Sequence, residues 1–294
     1  MGVAMQPMFE PGTLLARATG AAQQARAGGS LRPIATRAVI VESEGIAFRV
    51  RILAGEPAAA AEAEKRSTNT VSSAAQPNPF LPYEPAMFVA DISATHLCLL
   101  NKFTVIDNHL LIVTRAFEEQ MTALTVADFA ALWACMGEGD GLGFYNAGRV
   151  AGASQRHKHL QWVPLGALPM PLEARLATPG RAPLPFRHAL RALGIDAATG
   201  LEGAAHWLHS AYLAMLQEAG LDVADGAGLL GAYNLLVTRR WMLLVPRRYE
   251  AHEAIAVNAL GFAGCLLVRN EEQLHRLRAL GPLHVLTQVA YPHA

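Results

Sequence analysis

The residues able to do chemistry are concentrated in one run, Gly152-Ala153-Ser154-Gln155-Arg156-His157-Lys158-His159-Leu160-Gln161. If residues 156–164 form a strand, the period of two puts His157, His159 and Gln161 on one face and Lys158, Leu160 and Trp162 on the other. Two histidines two apart fit ordinary polar residues at a sheet edge, half of a metal site, or a nucleophile. The preceding loop favours the nucleophile. A glycine followed by small and amide-bearing residues offers backbone N–H groups and short polar donors at close approach to phosphate oxygens. Beside such a loop a neutral imidazole nitrogen can attack phosphorus and form a phosphoramidate, provided an acceptor holds its other nitrogen in the right tautomer. The chemistry implied is a displacement at phosphorus split into two steps.

The rest of the chain must build and position that run. Its 294 residues suit one large domain or two small ones, and 52% hydrophobic against 16% charged residues is the composition of a folded chain. Lys plus Arg and Asp plus Glu number 24 each, so no net field gathers a polyanion, which argues against nucleic acid or an anionic membrane as partner. Any phosphate must be met locally. Cys98, Cys135 and Cys265 stand far apart without a C-x-x-C pair, which suits a reducing cytoplasm better than a disulfide framework or a cysteine zinc site. Glu10 and Pro11 precede any long apolar run, Gln6 stands where a myristoyl site needs Ser or Thr, and the apolar stretch 254–268 is shorter than the roughly 20 residues that span a bilayer. A soluble, cytoplasmic protein is expected; the sequence sets no oligomeric state.

Periodicity predicts a surface helix over 13–27, ending at Gly28-Gly29, as part of an N-terminal helical segment, 1–32. A hairpin is predicted from 38–41 and 46–53 around Glu44-Gly45, then a mobile surface loop over 56–77. Strands at 96–100 and 110–114 follow, with Asn101-Lys102 and Asp107-Asn108 clustered at their ends. Thr125 and Asp128 have the spacing of a capping box before a core-facing helix marked by Phe129, Leu132, Trp133 and Met136. A helix at 201–220, a hairpin of 233–238 with 241–245, and a short helix at 271–280 complete the pattern. Interspersed helices and hairpin-joined strands predict an α+β fold with a largely antiparallel sheet flanked by helices. His206 and His209 lack an acidic partner in register for a metal, Arg247-Arg248 reads as a solvated turn, and Trp133 and Trp241 as core.

Gly-Ala-Ser-Gln-x-His-x-His-x-Gln at 152–161, with Asn146 six residues before the glycine, resembles the diadenosine tetraphosphate phosphorylases, or ATP adenylyltransferases, of the histidine-triad superfamily. Segments beginning at Asn78, Asn101, His109, Tyr233 and Asn258 are each similar to that family and occur in its order, from about Pro33 to Arg269. The resemblance implies a single histidine-triad-like catalytic domain over 33–294. It implies phosphorolysis of diadenosine tetraphosphate by phosphate to ATP and ADP, through an adenylylated histidine. Carried over by position, His159 would be the nucleophile, His157 would orient the strand, and Gln161 would bond an oxygen of the adenylyl group. Gly152, Ala153, Ser154, Gln155 and Asn146 would hold the phosphate chain. Asn101, Lys102, Asn258, Ala259, Leu260, Cys265 and Arg269 would contact nucleotide or phosphate, with Arg269 in place of a more usual lysine. A divalent cation, Mg2+ carried by the substrate, is expected to neutralise the polyphosphate.

The family also has a substrate lysine shortly after the strand matching 48–53, whereas here Lys65 is the next lysine. Three rivals differ at specific positions. Hexose-1-phosphate uridylyltransferases share the H-x-H-x-Q pattern but often carry cysteine-containing metal sites. Dinucleoside polyphosphate hydrolases carry a third histidine where this chain has Gln161. A nucleotide-binding sensor that has lost turnover would have little need to keep both histidines and the glutamine.

Overall fold

The computed structural model describes residues 6–55, 78–167, 169–176, 184–196, 198–221 and 231–293. The predicted loop at 56–77, and Lys65 within it, lie outside the described residues. The first half of the chain forms α1 (Leu14–Ala27), β1 (Thr36–Ser43), β2 (Ile46–Leu53), β3 (Phe88–Asp91), β4 (His96–Leu100), β5 (Leu110–Thr114), α2 (Val126–Met136) and β6 (Gly141–Ala147). There follow β7 (His159–Pro164), α3 (Glu173–Leu176), β8 (Ala189–Ala192), α4 (Leu201–Glu218), β9 (Tyr233–Val237) and β10 (Trp241–Pro246). The chain closes with β11 (Ala251–His252), β12 (Ile255–Ala256), α5 (Ala259–Phe262), β13 (Cys265–Val268), α6 (Glu271–Leu280) and α7 (Pro282–Val289).

Among the described residues eight strands form one sheet in the order β3-β4-β5-β7-β6-β9-β10-β8, with antiparallel neighbours throughout. Every residue of β4, β5, β6, β9 and β10 is buried, because both faces of the sheet are covered. On one face Tyr145, Leu160, Trp162 and Leu235 pack against Leu14 of α1, Phe129 of α2 and Leu208 of α4. On the other, Phe144, Leu236 and Leu243 meet Phe48 of β2, Phe262 of α5 and Leu286 of α7. There β1 and β2 form a smaller sheet, to which β13 adds parallel to β2. Phe80, Leu97, Leu99, Leu111 and Val113 make a third cluster. The register Val113↔His159 and Leu111↔Gln161 puts both polar residues on the face shared by the last two clusters, and strand order places them between the two. Among the described residues no helix is long and apolar enough to cross a membrane.

The predicted capping box is present: Thr125 Oγ1 accepts from Asp128 N–H at 3.2 Å, and Asp128 Oδ2 accepts from Thr125 N–H at 2.7 Å. Other elements depart from expectation. Strand β7 starts at His159 rather than Arg156, and His157 makes an isolated bridge to Glu119. Residues 141–147, for which the sequence predicts no element, carry two glycines and form a central strand. A Cβ on Gly141 would come within 2.2 Å of Trp162, and one on Gly143 within 2.7 Å of Leu132. Those glycines mark close packing, not a break.

Candidate active site

His159 begins β7 and is 4% exposed. Its Nδ1 lies 2.8 Å from the carbonyl oxygen of His157. A carbonyl only accepts, so the proton sits on Nδ1 and the lone pair on Nε2. Burial, helped by the neighbouring His157, pushes the His159 pKa down to about 4 against the opposing effect of that hydrogen bond. The imidazole is therefore neutral near neutral pH. His157 is held differently. Its Nε2–H donates to the Thr114 carbonyl at 2.8 Å, and its Nδ1 accepts from Asn78 Nδ2 at 2.9 Å. With both nitrogens engaged, His157 supplies a backbone acceptor and His159 keeps the reactive lone pair. Phe80 packs on both rings, its centroid 5.5 Å from that of His157 and 5.4 Å from that of His159.

The β6–β7 ladder ends at Phe144↔Gln161, short of His159. Beyond it the side chain of Gln120 takes the place of a strand. Its Oε1 accepts from His159 N–H at 2.9 Å, and its Nε2 donates to the carbonyls of His159 and Asn146 at 3.2 and 2.9 Å. Gln120 is itself fixed by its N–H to the Arg156 carbonyl and by the Tyr145 hydroxyl on its own carbonyl. Sequence reasoning missed this residue, because a glutamine following Glu118-Glu119 carries no pattern that marks it as buried. On the opposite side of the strand Lys158 is fully buried, with Nζ 2.7 Å from Asp128 Oδ2 and 3.0 Å from Glu118 Oε2. Burial would raise the Asp128 pKa, but the hydrogen bond from His96 and the charge of Lys158 outweigh it and bring it down to about 2. This charge cluster anchors the two-histidine segment to α2.

The Gly152 loop abuts the Asn258 segment. Gly152 has φ +94°, and a Cβ there would stand 2.7 Å from Asn258 Cβ. Asn258 is exposed and caps α5, its Oδ1 accepting from Leu260 N–H at 3.1 Å. Asn146 joins the two segments: its Oδ1 accepts from Ala259 N–H at 3.0 Å and from Asn234 Nδ2 at 2.8 Å, and that same Nδ2 donates to the Ala151 carbonyl at 2.8 Å. Arg247 closes the network on Asn234 Oδ1 at 2.6 Å, and at 2% exposed it corrects the solvated-turn reading at that position, whereas Arg248 is exposed. The loop amides also need correction. Those of Gly152 and Ala153 donate inward, to Arg149 and Gly148 carbonyls at 2.8 and 3.1 Å, so they do not form the donor cradle expected of them. Ser154 is the exposed member of the motif loop, and Gln155 is partly buried.

The remaining sequence candidates divide. Asn101 is coupled to the strand of the nucleophile through His109, whose Nε2 lies 2.8 Å from Gln161 Oε1. Lys102 pairs with Glu84 at 3.2 Å. Ala259 is buried, Leu260 partly so, and Arg269 is exposed at the end of β13. Cys265 donates to the Pro169 carbonyl at 3.1 Å, and burial pushes its thiol up to about 12 despite the nearby Arg51 and Arg49. In the β2–β13 register Cys265 stands opposite Arg49. Among the described residues no group of three His, Cys, Asp or Glu side chains is arranged to hold a metal ion, His206 and His209 included.

The eight-stranded antiparallel sheet with its flanking helices is a fold shared with solved structures. The crystal structure of yeast Ap4A phosphorylase Apa2 superimposes with a TM-score of 0.75 at 23% identity, over 98% of this chain and 97% of that one. The structure of Apa2 in complex with Ap4A gives a TM-score of 0.76 at 22% identity, over 98% and 100%. The chain belongs to the Ap4A phosphorylase and ATP adenylyltransferase family: residues 4–178 match the Ap4A phosphorylase N-terminal domain, and residues 182–292 the ATP adenylyltransferase C-terminal domain. Relatives in Saccharomyces cerevisiae include diadenosine 5',5'''-P1,P4-tetraphosphate phosphorylase 2, 28% identical over 72% of this chain and 75% of that protein. Protein APA1 is also 28% identical, over 66% and 68%.

Proposed function

We propose that this chain is a cytoplasmic nucleotidyltransferase that cleaves diadenosine tetraphosphate with phosphate, giving ATP and ADP. The observation that carries the reading is the His159 imidazole, neutral and with its proton fixed on Nδ1, leaving Nε2 as a nucleophile. In the first step Nε2 bonds to the phosphorus of one adenylyl group and ATP leaves. The ring then carries positive charge, which the His157 carbonyl offsets through the Nδ1–H hydrogen bond. In the second step a phosphate oxygen displaces the histidine from phosphorus, ADP forms, and the neutral imidazole returns. Gln161 contacts a phosphoryl oxygen, while Asn258, Ala259, Leu260, Cys265 and Arg269 line the nucleotide and phosphate sites. Mg2+ would arrive with the polyphosphate and neutralise part of its charge.

Incubating the protein with diadenosine tetraphosphate, with and without phosphate, and separating the products by chromatography tests this. ATP and ADP in equal amounts are expected only with phosphate present. Without it, mass spectrometry should find an adenylyl group on the peptide containing His159. An adduct on His157 would reassign the nucleophile, and binding without products would make the protein a sensor.

A further inference from the structure

Gln161 is a carboxamide, which can present either its oxygen or its NH2 to a ligand, with opposite consequences for a phosphoryl group. Neighbouring residues decide which. Asn101 Oδ1 accepts from the backbone N–H of Phe103 at 3.3 Å. An N–H only donates, so this contact fixes the Asn101 amide and turns its Nδ2 toward His109, 3.2 Å from Nδ1. Nδ1 must then accept, so the proton of the neutral ring sits on Nε2. That N–H donates to Gln161 Oε1 at 2.8 Å. His109 and Gln161 are 7% and 8% exposed, and Phe144 packs beside the imidazole with ring centroids 5.6 Å apart. Every donor and acceptor along the chain follows from one backbone N–H.

We propose that His109 is a positioning residue that locks the Gln161 carboxamide with its oxygen inward and its NH2 on the site side. Gln161 then meets the transferred phosphoryl group only as a donor. A donor stabilises negative charge on a phosphoryl oxygen as it develops, whereas an inverted amide would repel that oxygen. The catalytic consequence rests on the phosphorolysis proposed above; the orientation itself does not.

Two measurements separate those claims. Long-range 1H–15N spectra of the wild-type protein, with His109 assigned by its loss in His109→Gln, should show the neutral Nε2–H tautomer at neutral pH. An Nδ1–H tautomer or an imidazolium would overturn the orientation, whatever the enzyme's activity. In phosphorolysis assays His109→Leu should lower kcat by about 10- to 100-fold with KM changed no more than about 3-fold. His109→Gln, whose amide can donate from the position of Nε2, should recover most of that loss. In a Gln161→Ala background His109→Leu should have little further effect, because its action passes through Gln161. Equal damage by Leu and Gln, or additive losses in the double variant, would reduce His109 to a core residue. Failure of the wild-type protein to cleave diadenosine tetraphosphate would defeat the functional reading, while the spectra would still decide the orientation.

Discussion

His159 Nδ1 lies 2.8 Å from the carbonyl oxygen of His157, so the first histidine of the pair orients the second with its backbone and not with its ring. This explains the two-residue spacing. The His157 ring is meanwhile tied to Thr114 and Asn78, which holds that carbonyl in place.

Burial of the pair makes a pH prediction. The His159 pKa falls from an ordinary 6.5 to about 4 on folding, and His157 shifts in the same direction, in each case chiefly through burial. Between those two values the unfolded chain binds a proton that the folded chain does not, so stability falls as pH drops through that window. His159 alone contributes about 3 kcal/mol to that loss. Urea titrations between neutral pH and pH 4 should show the decline. Single-turnover adenylylation should lose rate as pH passes about 4. A kinetic inflection near the ordinary histidine value would mean that the nucleophile is solvated.

Gln120 makes a separate claim, that a side chain replaces a strand at the nucleophile. Gln120→Leu keeps the volume but strands His159 N–H and two carbonyls without their partner. A loss of about 2–4 kcal/mol in urea unfolding is expected, at about 1–3 kcal/mol for each buried group left unpaired with partial relaxation. Adenylylation should slow by about tenfold or more, since the His159 backbone loses its anchor. A fully active Gln120→Leu protein would show that β5 alone positions His159.

Much of this was legible in the sequence, and the failures have causes. Period-two reading put His159 and Gln161 on one face, and the cap at Thr125 and Asp128 was visible from spacing because both depend on neighbours in the chain. Gln120 acts across 39 residues and Arg247 across as many as 42, on partners whose proximity is created by folding. Helix α7 was hidden by Gly281-Pro282, which reads as a stop but places proline at the start of a helix, where its missing N–H costs nothing. The donor loop was misjudged because composition shows how many amides a loop has, not which way they point.

The buried pair of Lys158 and Asp128 should be asymmetric under mutation. Asp128→Ala leaves a fully buried ammonium whose only charged partner among the described residues is the half-exposed Glu118, and it removes a helix cap. The expected cost is about 3–5 kcal/mol, whereas Asp128→Leu combined with Lys158→Met should recover much of it by removing both charges. Thermal or urea unfolding of the three proteins decides this. A double variant no more stable than Asp128→Ala would show that the charges themselves hold the segment.

The final prediction concerns where the adenylyl group goes. A carboxamide cannot take a proton near neutral pH, so Gln161 has no means of activating water beside an adenylylated His159. Phosphate brings its own charged oxygen and needs no such base. The intermediate should then persist until phosphate arrives, and AMP should be a minor product of the wild-type protein. Gln161→His puts a titratable ring at that position, still within reach of the His109 Nε2–H donor. Unlike the carboxamide, that ring can turn to present an unprotonated nitrogen to the site, where it accepts a proton from water. A water molecule could then be activated through the imidazole, and the AMP share should rise several-fold in phosphate-free buffer, read by chromatography. If the wild-type protein releases AMP equally with and without phosphate, water is already being activated by another group, and the third position of the motif does not choose the acceptor.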